Sequence, residues 1–369
     1  MRANNVLGLV FPNTYDSCLK DMTSVRAMAS VPFGGRYRII DFLLSAMANC
    51  GMSKIGIITK SNYQSLMDHI GSGRSWDLAR KKGGVFILPP FNSNNTGLYN
   101  GKIEAISGVL NFLDHNNEEY VLMADGNTVA SPDFSAMFAY HEQKGADITI
   151  ACAHGRTPET DGANVFDFDE DGRITSIIRG GVSSSADYSL GFILMRKSLL
   201  ELLIREAVSQ SMRSFTEDIL RRNLSHLKIY GYRLGGFIRV LDSIGSYFEA
   251  NMALLDSENR RELFSSQPVY TKVKDDVPAI YGLDSDVSNS LIADGCVIEG
   301  KVINSVLFRG VHIGKGAVVR NCILMQNTFV SDRDELNCVI ADKSVIIKPK
   351  KTLSGDKNFP LYIGKETVI

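Results

Sequence analysis

The sequence predicts an α/β domain with helices on both faces of its sheet, followed by a parallel β-helix. The chain of 369 residues is longer than one compact core usually is, so we expect two domains. Up to about residue 255, short apolar runs alternate with helical patterns, which is typical of α/β domains. From about residue 283, an apolar residue returns roughly every six positions, which indicates the coils of a β-helix. We therefore place the domains at 1–255 and 283–369, with a linker at 256–282.

Short apolar runs predict buried parallel strands at 6–10, 55–59, 120–124 and 148–152. Helices are predicted at 38–49 and at 102–113, because the apolar residues of each segment share one face. Ligands of such sheets bind at the carboxyl ends of the strands. The turns after Val10 and Ala124 are therefore the first places in which to seek a site.

The second domain is predicted from its repeats. The linker contains Pro268 and Pro278 and shows little periodicity. Beyond it, the apolar positions of the hexapeptide pattern are Ile292, Ile298, Leu307, Ile313, Val319, Met325, Ile340 and Ile346. Stacked coils would bury these residues in a continuous core. The longer spacings 298–307 and 325–340 predict a corner or loop insertion at each place. A β-sandwich, the alternative, would show a period of two and hairpin turns.

Composition excludes several classes of protein. Lys and Arg total 40 and Asp and Glu total 41, so the chain lacks the basic surplus of a nucleic-acid binder. The sequence has no apolar stretch of about 18 residues, so we expect no membrane span. The six cysteines form no CxxC pair and the six histidines show no metal spacing. We expect a cytoplasmic protein with reduced thiols, without a metal site, that binds neither nucleic acid nor membrane.

One long segment resembles a known family. Residues 26–42 read RAMASVPFGGRYRIIDF, which resembles the signature RAKPAVPFGGKYRIIDF of ADP-glucose pyrophosphorylases, or glucose-1-phosphate adenylyltransferases. Segments beginning at His69, Gly83, Asp161 and Ser246 follow in that family's order, and the hexapeptide tail completes it. The resemblance implies a nucleotidyltransferase domain with a Rossmann-like mixed sheet and a left-handed β-helix. It also implies a tetrameric assembly in bacterial glycogen synthesis that joins ATP and glucose-1-phosphate into ADP-glucose and pyrophosphate.

The residues that would carry this chemistry are replaced. The family's glycine-rich loop GGxGTRL corresponds to residues 11–19, which lack glycine and include Pro12, so the backbone cradle for phosphates is lost. Met28 stands at the lysine of the RAK motif. Asn127 stands at the metal-binding aspartate of the SGDH turn, and Val240 at the acidic position of WRDVG. The sugar-binding EKP motif becomes residues 179–181, Arg-Gly-Gly.

These replacements predict that no catalytic residue remains at Met28, Asn127 or Val240, and that the chain uses no cofactor. Magnesium would be needed only for residual activity. An alternative keeps a carboxylate at the site, because Asp125 or Asp242 could substitute through a register shift.

The resemblance therefore favours the family's non-catalytic D-type subunit, a regulatory partner in a hetero-oligomer with a catalytic ADP-glucose pyrophosphorylase subunit. The alternative function is a divergent adenylyltransferase with weak intrinsic activity. A third, an acyltransferase suggested by the tail alone, would need His312 as its base.

Arg26 and Arg38 are predicted to bind an anion. The resemblance implies that phosphorylated effectors bind catalytic relatives near this segment, at the junction with the β-helix. Arginine suits phosphate because its planar fork donates two hydrogen bonds at once. The alternative is that these arginines, together with Arg36, pair with carboxylates such as Asp41, three residues after Arg38.

Overall fold

The computed structural model describes residues 1–81, 83–90, 99–159, 163–180 and 183–369. The strands of the first domain are β1 (Val6–Phe11), β2 (Pro32–Phe33), β3 (Tyr37–Arg38), β4 (Lys54–Ile58), β5 (Gly84–Leu88), β6 (Tyr120–Asp125), β7 (Thr128–Ala130), β8 (Ile148–Gly155), β9 (Asn164–Phe168), β10 (Ile174–Arg179), β11 (Ala186–Arg196), β12 (Ile229–Arg233) and β13 (Ile238–Val240). The α-helices are α1 (Lys20–Thr23), α2 (Ile39–Asn49), α3 (Gln64–Ile70), α4 (Lys102–Ser107), α5 (Leu110–Asp114), α6 (Phe134–Lys144), α7 (Lys197–Ser209), α8 (Ile244–Ala253) and α9 (Ser257–Ser265).

The first domain is built on a mixed sheet in the order β10-β9-β11-β6-β1-β4-β5, with β8 beside β11 and β12 beside β8. Strand β1 runs parallel to both β4 and β6, whereas β11 runs antiparallel to β6. Two apolar clusters cover the two faces of the sheet, and all six residues of β1 are buried. A strand that is buried on both faces reads as a continuous apolar run, which is why it was visible in the sequence.

The helix predicted at 102–113 is two helices. Helix α4 ends at Ser107, just before Gly108, and α5 begins at Leu110 after Val109, whose backbone leaves the helical region. Glycine loses more conformational freedom in a helix than any other residue, so it is a natural place for the break. The apolar face persists across it, because Ile103, Ile106 and Leu113 all belong to the same core cluster.

The second domain is a parallel β-helix whose coils each give one short strand to each of three five-stranded sheets. Its strands are β14 (Ile280–Tyr281), β15 (Asp286–Ser288), β16 (Leu291–Ile292), β17 (Val297–Ile298), β18 (Lys301–Ile303), β19 (Val306–Leu307), β20 (His312–Ile313), β21 (Val318–Arg320), β22 (Ile323–Leu324), β23 (Phe329–Val330), β24 (Glu335–Asn337), β25 (Val339–Ala341), β26 (Ile346–Ile347), β27 (Thr352–Ser354) and β28 (Leu361–Ile363). The segment 256–282, predicted as a linker, contains α9 and the first of these strands.

Three of the predicted repeat positions do not face the interior of the coils. Met325 and Ile340 pack against the first domain, and Ile346 is 44% exposed. The interior residues beside them are Leu324, Ala341 and Ile347, each one position away. The side chains of a strand alternate between its two faces, so a one-residue error in register exchanges inside and outside.

One face of the β-helix is covered by the first domain. The sheet β16-β19-β22-β25-β28 turns Val306, Ile323 and Ile340 outward, into one apolar cluster with Phe33 and Phe248. Because these side chains are buried between the domains, the two domains share a core as well as a linker.

Candidate functional site

A cleft of about 390 Å³ opens at the carboxyl ends of β1 and β6. Thr14 and Tyr15 reach it from the turn after β1, and Asp125 is the last residue of β6. This is the position at which open α/β sheets bind their ligands. The sequence pointed to the same two turns.

Several polar groups of the turn after β1 form hydrogen bonds with one another. The backbone amides of Asp16 and Cys18 donate to the carbonyls of Asn13 and Tyr15, at 3.3 and 3.0 Å. The Asn13 side chain donates to the Asp16 carboxylate at 2.7 Å, and that carboxylate also accepts the amide of Met28 at 2.8 Å. Pro12 has no amide proton, and the amides of Asp16 and Cys18 are already engaged, so these three positions offer no donor to a triphosphate.

A buried ion pair lies in the cleft. The Lys102 ammonium is 2.8 Å from Asp125 Oδ2, and the Asp125 side chain is 1% exposed. Burial raises the pKa of Asp125, while the charge of Lys102, its hydrogen bond and a hydrogen bond from the Thr14 side chain oppose that rise. The other oxygen, Oδ1, makes no hydrogen bond of good geometry within the described part of the chain. Asp125 is therefore directed into the cleft and is already neutralised by a cation of the chain itself.

Asn127 and Val240 lie together on the wall of this cleft. Strands β7 and β13 pair Thr128 with Val240, and the carbonyl of Asn127 accepts the amide of Leu241 at 2.9 Å. The two positions predicted to have lost their carboxylates are thus neighbours in space, although they are far apart in sequence.

Met28 does not reach the cleft. It is 1% exposed and lies in the apolar cluster that joins the two domains. Asp242, the other carboxylate considered as a substitute, is also absent from the described wall of the cleft. Its carboxylate accepts the amide of Glu159 at 2.5 Å and the hydroxyl of Ser243 at 3.2 Å. Of the two possible substitutes, only Asp125 is in place.

The residues of the cleft do not fit a magnesium ion. Magnesium is usually held by carboxylates. Among the described residues of the wall, the acidic ones are Asp125 and Glu217, and each is paired with a cation, Lys102 or Arg221, at 2.8 Å. Elsewhere in the described part of the chain, no group of three or more His, Cys, Asp or Glu side chains is placed to hold a metal. Of the positions where the family's sugar-binding motif is replaced, Arg179 lines the cleft, whereas Gly181 lies outside the described residues.

A second cavity, of about 230 Å³, lies at the junction of the first domain with the β-helix. Within the described chain, its lining includes the basic residues Arg36, Arg38, His69, Lys272, Lys274, Arg309 and Lys343, and it includes no carboxylate. Arg309 is 8% exposed, and its Nε and Nη2 have no hydrogen-bond partner among the described residues. Buried donors without acceptors are costly, so the lining of this cavity carries an excess of positive charge and two unused donors.

The structure separates the two arginines predicted to bind an anion. Arg38 lines the second cavity and donates through Nη1 to the carbonyl and hydroxyl of Ser65, at 2.6 and 2.9 Å. Arg26 is absent from the described lining and forms a bidentate ion pair with Asp342 of the β-helix, at 2.9 and 3.0 Å. Asp41 accepts the backbone amide of Arg38 and faces His69 at 2.6 Å. Sequence reasoning missed Arg309 and Lys343, because the hexapeptide pattern carries no information about which coil meets the first domain.

Comparison with known proteins agrees with this architecture. Residues 17–230 match the nucleotidyl transferase family, and residues 278–359 match the GlmU-like C-terminal hexapeptide family. The class of the protein is therefore a nucleotidyl transferase domain joined to a hexapeptide domain, and the predicted left-handed β-helix is confirmed. No helix in the described part of the chain is long and apolar enough to span a membrane.

Full-length relatives define the family more closely. The chain is 34% identical to the glycogen biosynthesis protein GlgD of Bacillus subtilis (strain 168) over 366 residues, 99% of this chain and 97% of the relative. It is 38% identical to GlgD of Geobacillus stearothermophilus over 371 residues, with 99% and 97% covered. It is also 33% identical to the glucose-1-phosphate adenylyltransferase of Clostridium perfringens (strain SM101 / Type A) over 375 residues, with 100% and 97% covered. The chain belongs to the nucleotidyl transferase family that contains the glucose-1-phosphate adenylyltransferases and the GlgD glycogen biosynthesis proteins.

Proposed function

We propose that this chain is a regulatory, largely non-catalytic subunit of a cytoplasmic glucose-1-phosphate adenylyltransferase in glycogen biosynthesis. It would assemble with a catalytic subunit that makes ADP-glucose from ATP and glucose-1-phosphate. The observation that carries the proposal is the cleft, where Lys102 neutralises Asp125 and where Asn127 and Val240 occupy the adjoining wall. Nucleotidyl transfer depends on positioned charges around the phosphates. Removing one such group typically costs about a hundredfold in rate or more, and several are missing here.

Asp125 supports the second candidate function, a divergent adenylyltransferase with weak intrinsic activity. Its Oδ1 is buried, makes no hydrogen bond of good geometry with the described residues, and belongs to a side chain that lines the cleft. If Lys102 moved away on substrate binding, this carboxylate would be free to hold a cation. A single carboxylate is nevertheless a poor magnesium site, so we favour the non-catalytic role.

The exposed face of the β-helix supports assembly with a partner. The sheet β14-β17-β20-β23-β26 carries an outward column that is apolar except for one histidine: Ile280, Val297, His312, Phe329, Ile346 and Val368. Ile280, Phe329 and Ile346 are 58%, 41% and 44% exposed. The outward column of the sheet beside it includes Asp286, Lys301 and Glu335 instead. Contiguous exposed apolar surface marks interaction sites, and we assign this column to the catalytic subunit.

His312 belongs to that column and not to an acyltransferase site. Its ring stacks on Phe329, with 4.4 Å between the ring centroids and 9° between the planes. A histidine in this arrangement contributes flat apolar contact to the column.

The second cavity supports a phosphorylated effector. It combines Arg38 from the first domain with Arg309 and Lys343 from the β-helix, and its described lining has no carboxylate. Arginines that lack acceptors suit phosphate oxygens, because charge-assisted hydrogen bonds to phosphate are short and strong. A ligand held by both domains could alter how they pack and thereby influence the partner subunit.

Two measurements test the proposed function. The purified chain, given ATP, glucose-1-phosphate and Mg²⁺, should form ADP-glucose at background rate. Added to the glucose-1-phosphate adenylyltransferase of the same organism, it should co-elute in size exclusion and change the kinetics of that enzyme. Phe329→Glu should weaken co-elution, whereas Thr352→Glu on the charged face should not. Rapid turnover by the chain alone, or failure of the two proteins to associate, would contradict the proposal.

A further inference from the structure

Lys343 is a lysine in an unusual setting. It follows Asp342, lines the second cavity, and its ammonium forms no ion pair with the described residues. The Arg26–Asp342 pair beside it uses the nearest carboxylate. Burial, and then the charges of Arg38 and Arg26, lower the pKa of Lys343 to about 7. Lys343 therefore loses its proton more readily than an ordinary lysine, whose pKa is about 10.4.

Arg309 supplies the second half of the site. Its side chain lines the same cavity, is 8% exposed, and leaves Nε and Nη2 without acceptors among the described residues. Arg38, held by Ser65, contributes a further positive charge. An amine that can act as a nucleophile thus shares one cavity with cations that can hold and stabilise a phosphate.

We propose that Lys343 is a site of covalent acylation by small acyl phosphates, with the phosphate group held by Arg309 and Arg38. The proposal rests on the anion site of the proposed function and adds a covalent regulation to it. The lone pair of Nζ attacks the acyl carbon and forms an amide bond, and the bond from that carbon to the phosphate oxygen breaks. Inorganic phosphate leaves with the electron pair, and the nitrogen loses its proton to water. The step needs no oxidant, reductant or metal.

The modification would change what the cavity can bind. An amide carries no charge and cannot be protonated at neutral pH, so acylated Lys343 could no longer add a positive charge to the cavity. The groups that set the charge around this amine are Arg26, Arg38, His69, Arg309, Asp342 and Lys365. Of these, only Asp342 is an acid, and Arg26 already neutralises it. Acylation should therefore weaken the binding of anions in this cavity.

The test is a labelling experiment on the full-length chain with acetyl phosphate, followed by peptide mass spectrometry. At pH 7, Lys343 should be acetylated at least about tenfold faster than the exposed Lys20, because far more of its amine is neutral. Its rate should level off above about pH 8, whereas the rate of Lys20 should continue to rise. Inorganic phosphate should slow labelling of Lys343 alone. Lys343→Arg should remove the signal from its peptide.

Arg309→Gln separates guided acylation from mere reactivity. This variant should slow acetylation of Lys343 by acetyl phosphate about tenfold, but not by the uncharged reagent N-hydroxysuccinimidyl acetate, because only the first needs a phosphate site. Arg320→Gln, an exposed arginine of the β-helix, is the matched control and should change neither rate. Equal effects of Arg309→Gln on both reagents would overturn the proposal.

Phosphate binding, measured separately by calorimetry, distinguishes this proposal from the effector site on which it rests. If phosphate binds and Lys343 reacts no faster than Lys20, the anion site stands and the acylation proposal fails. If phosphate does not bind and Lys343 is not labelled preferentially, both fail.

Discussion

Replacing Arg26 by Met removes one half of an ion pair buried between the two domains. Arg26 donates two hydrogen bonds to Asp342, at 2.9 and 3.0 Å, and the two side chains are 3% and 0% exposed. Asp342 also accepts the hydroxyl of Tyr362 and the backbone amide of Lys343, both at 2.7 Å. The variant leaves a carboxylate without its counter-charge in a place that water does not reach.

We expect Arg26→Met to lower the free energy of unfolding by about 3–5 kcal/mol, which is typical when one partner of a buried pair is removed. The double variant Arg26→Met/Asp342→Leu should recover most of this loss, because apolar side chains of similar volume bury no charge. Arg36→Met is the matched control. Arg36 lies exposed in the same segment, so its replacement should change stability by less than about 0.5 kcal/mol.

Denaturant titrations followed by two probes give the measurement. Fluorescence reports the first domain, because Trp76 is the single tryptophan of the chain and is 1% exposed. Far-UV circular dichroism reports the whole chain, and two probes are needed because two domains need not unfold together. If Arg26→Met is no more destabilising than Arg36→Met, the pair does not stabilise the junction. Arg26 would then be available to a phosphorylated ligand, as the sequence suggested.

Three further predictions follow from the cleft and the core. Asn127→Asp alone should leave ADP-glucose synthesis at background in a coupled assay, because the turn after β1 has no glycine, contains Pro12 and still lacks the backbone cradle for the triphosphate; a clear gain of activity would refute this. Gly191→Ala should lower the free energy of unfolding by about 1–3 kcal/mol, because Gly191 has φ +76° and a Cβ there would lie 2.4 Å from Asp125 Oδ2. In the same denaturant titration, Gly235→Ala should be nearly neutral, because a Cβ at Gly235 would have no atom within 4 Å. Burial lowers the pKa of His141 to about 4, whereas the pKa in the unfolded chain is about 6.5. The buried neutral imidazole therefore stabilises the fold above about pH 6.5, and this stabilisation is lost as the pH falls toward 4. His141→Gln should make the free energy of unfolding less dependent on pH between about 6.5 and 4.

The sequence predicted the architecture well because both of its periodicities are local. The strand around Val6 is a continuous apolar run, and the coils repeat at a nearly constant spacing. Local signals can nevertheless leave errors of one residue. Met325 and Ile340 were expected inside the coils, but they pack on the first domain, because both sides of this sheet are apolar. An apolar residue is equally well accommodated on either side, so the pattern could not choose between them.

The sites were less predictable, because they combine residues that are distant in sequence. Asn127 and Val240 could be aligned with motifs, but their contact through β7 and β13 required the fold. The pairing of Lys102 with Asp125 had no signal in the sequence, although Asp125 was noted as an alternative. Arg38 was identified from a motif, whereas Arg309 belongs to a coil whose outward residues are free to vary in the repeat pattern.

The buried Arg26–Asp342 ion pair and the cationic cavity adjoin each other at the domain junction. Asp342 binds Arg26 of the first domain, and the next residue, Lys343, lines the cavity together with Arg38. The backbone amide of Lys343 donates to Asp342, so a displacement of either domain would move the ion pair and the cavity wall together. A ligand can shift the equilibrium between docked and displaced domains only if it binds the two arrangements with different affinities. An anion that binds Arg38 and Arg309 at once prefers the docked arrangement, since only there does it contact both domains. A regulatory subunit of the kind we propose would therefore not need an active cleft, because the apolar column that we assign to the partner lies on the same β-helix that supplies Arg309, Asp342 and Lys343.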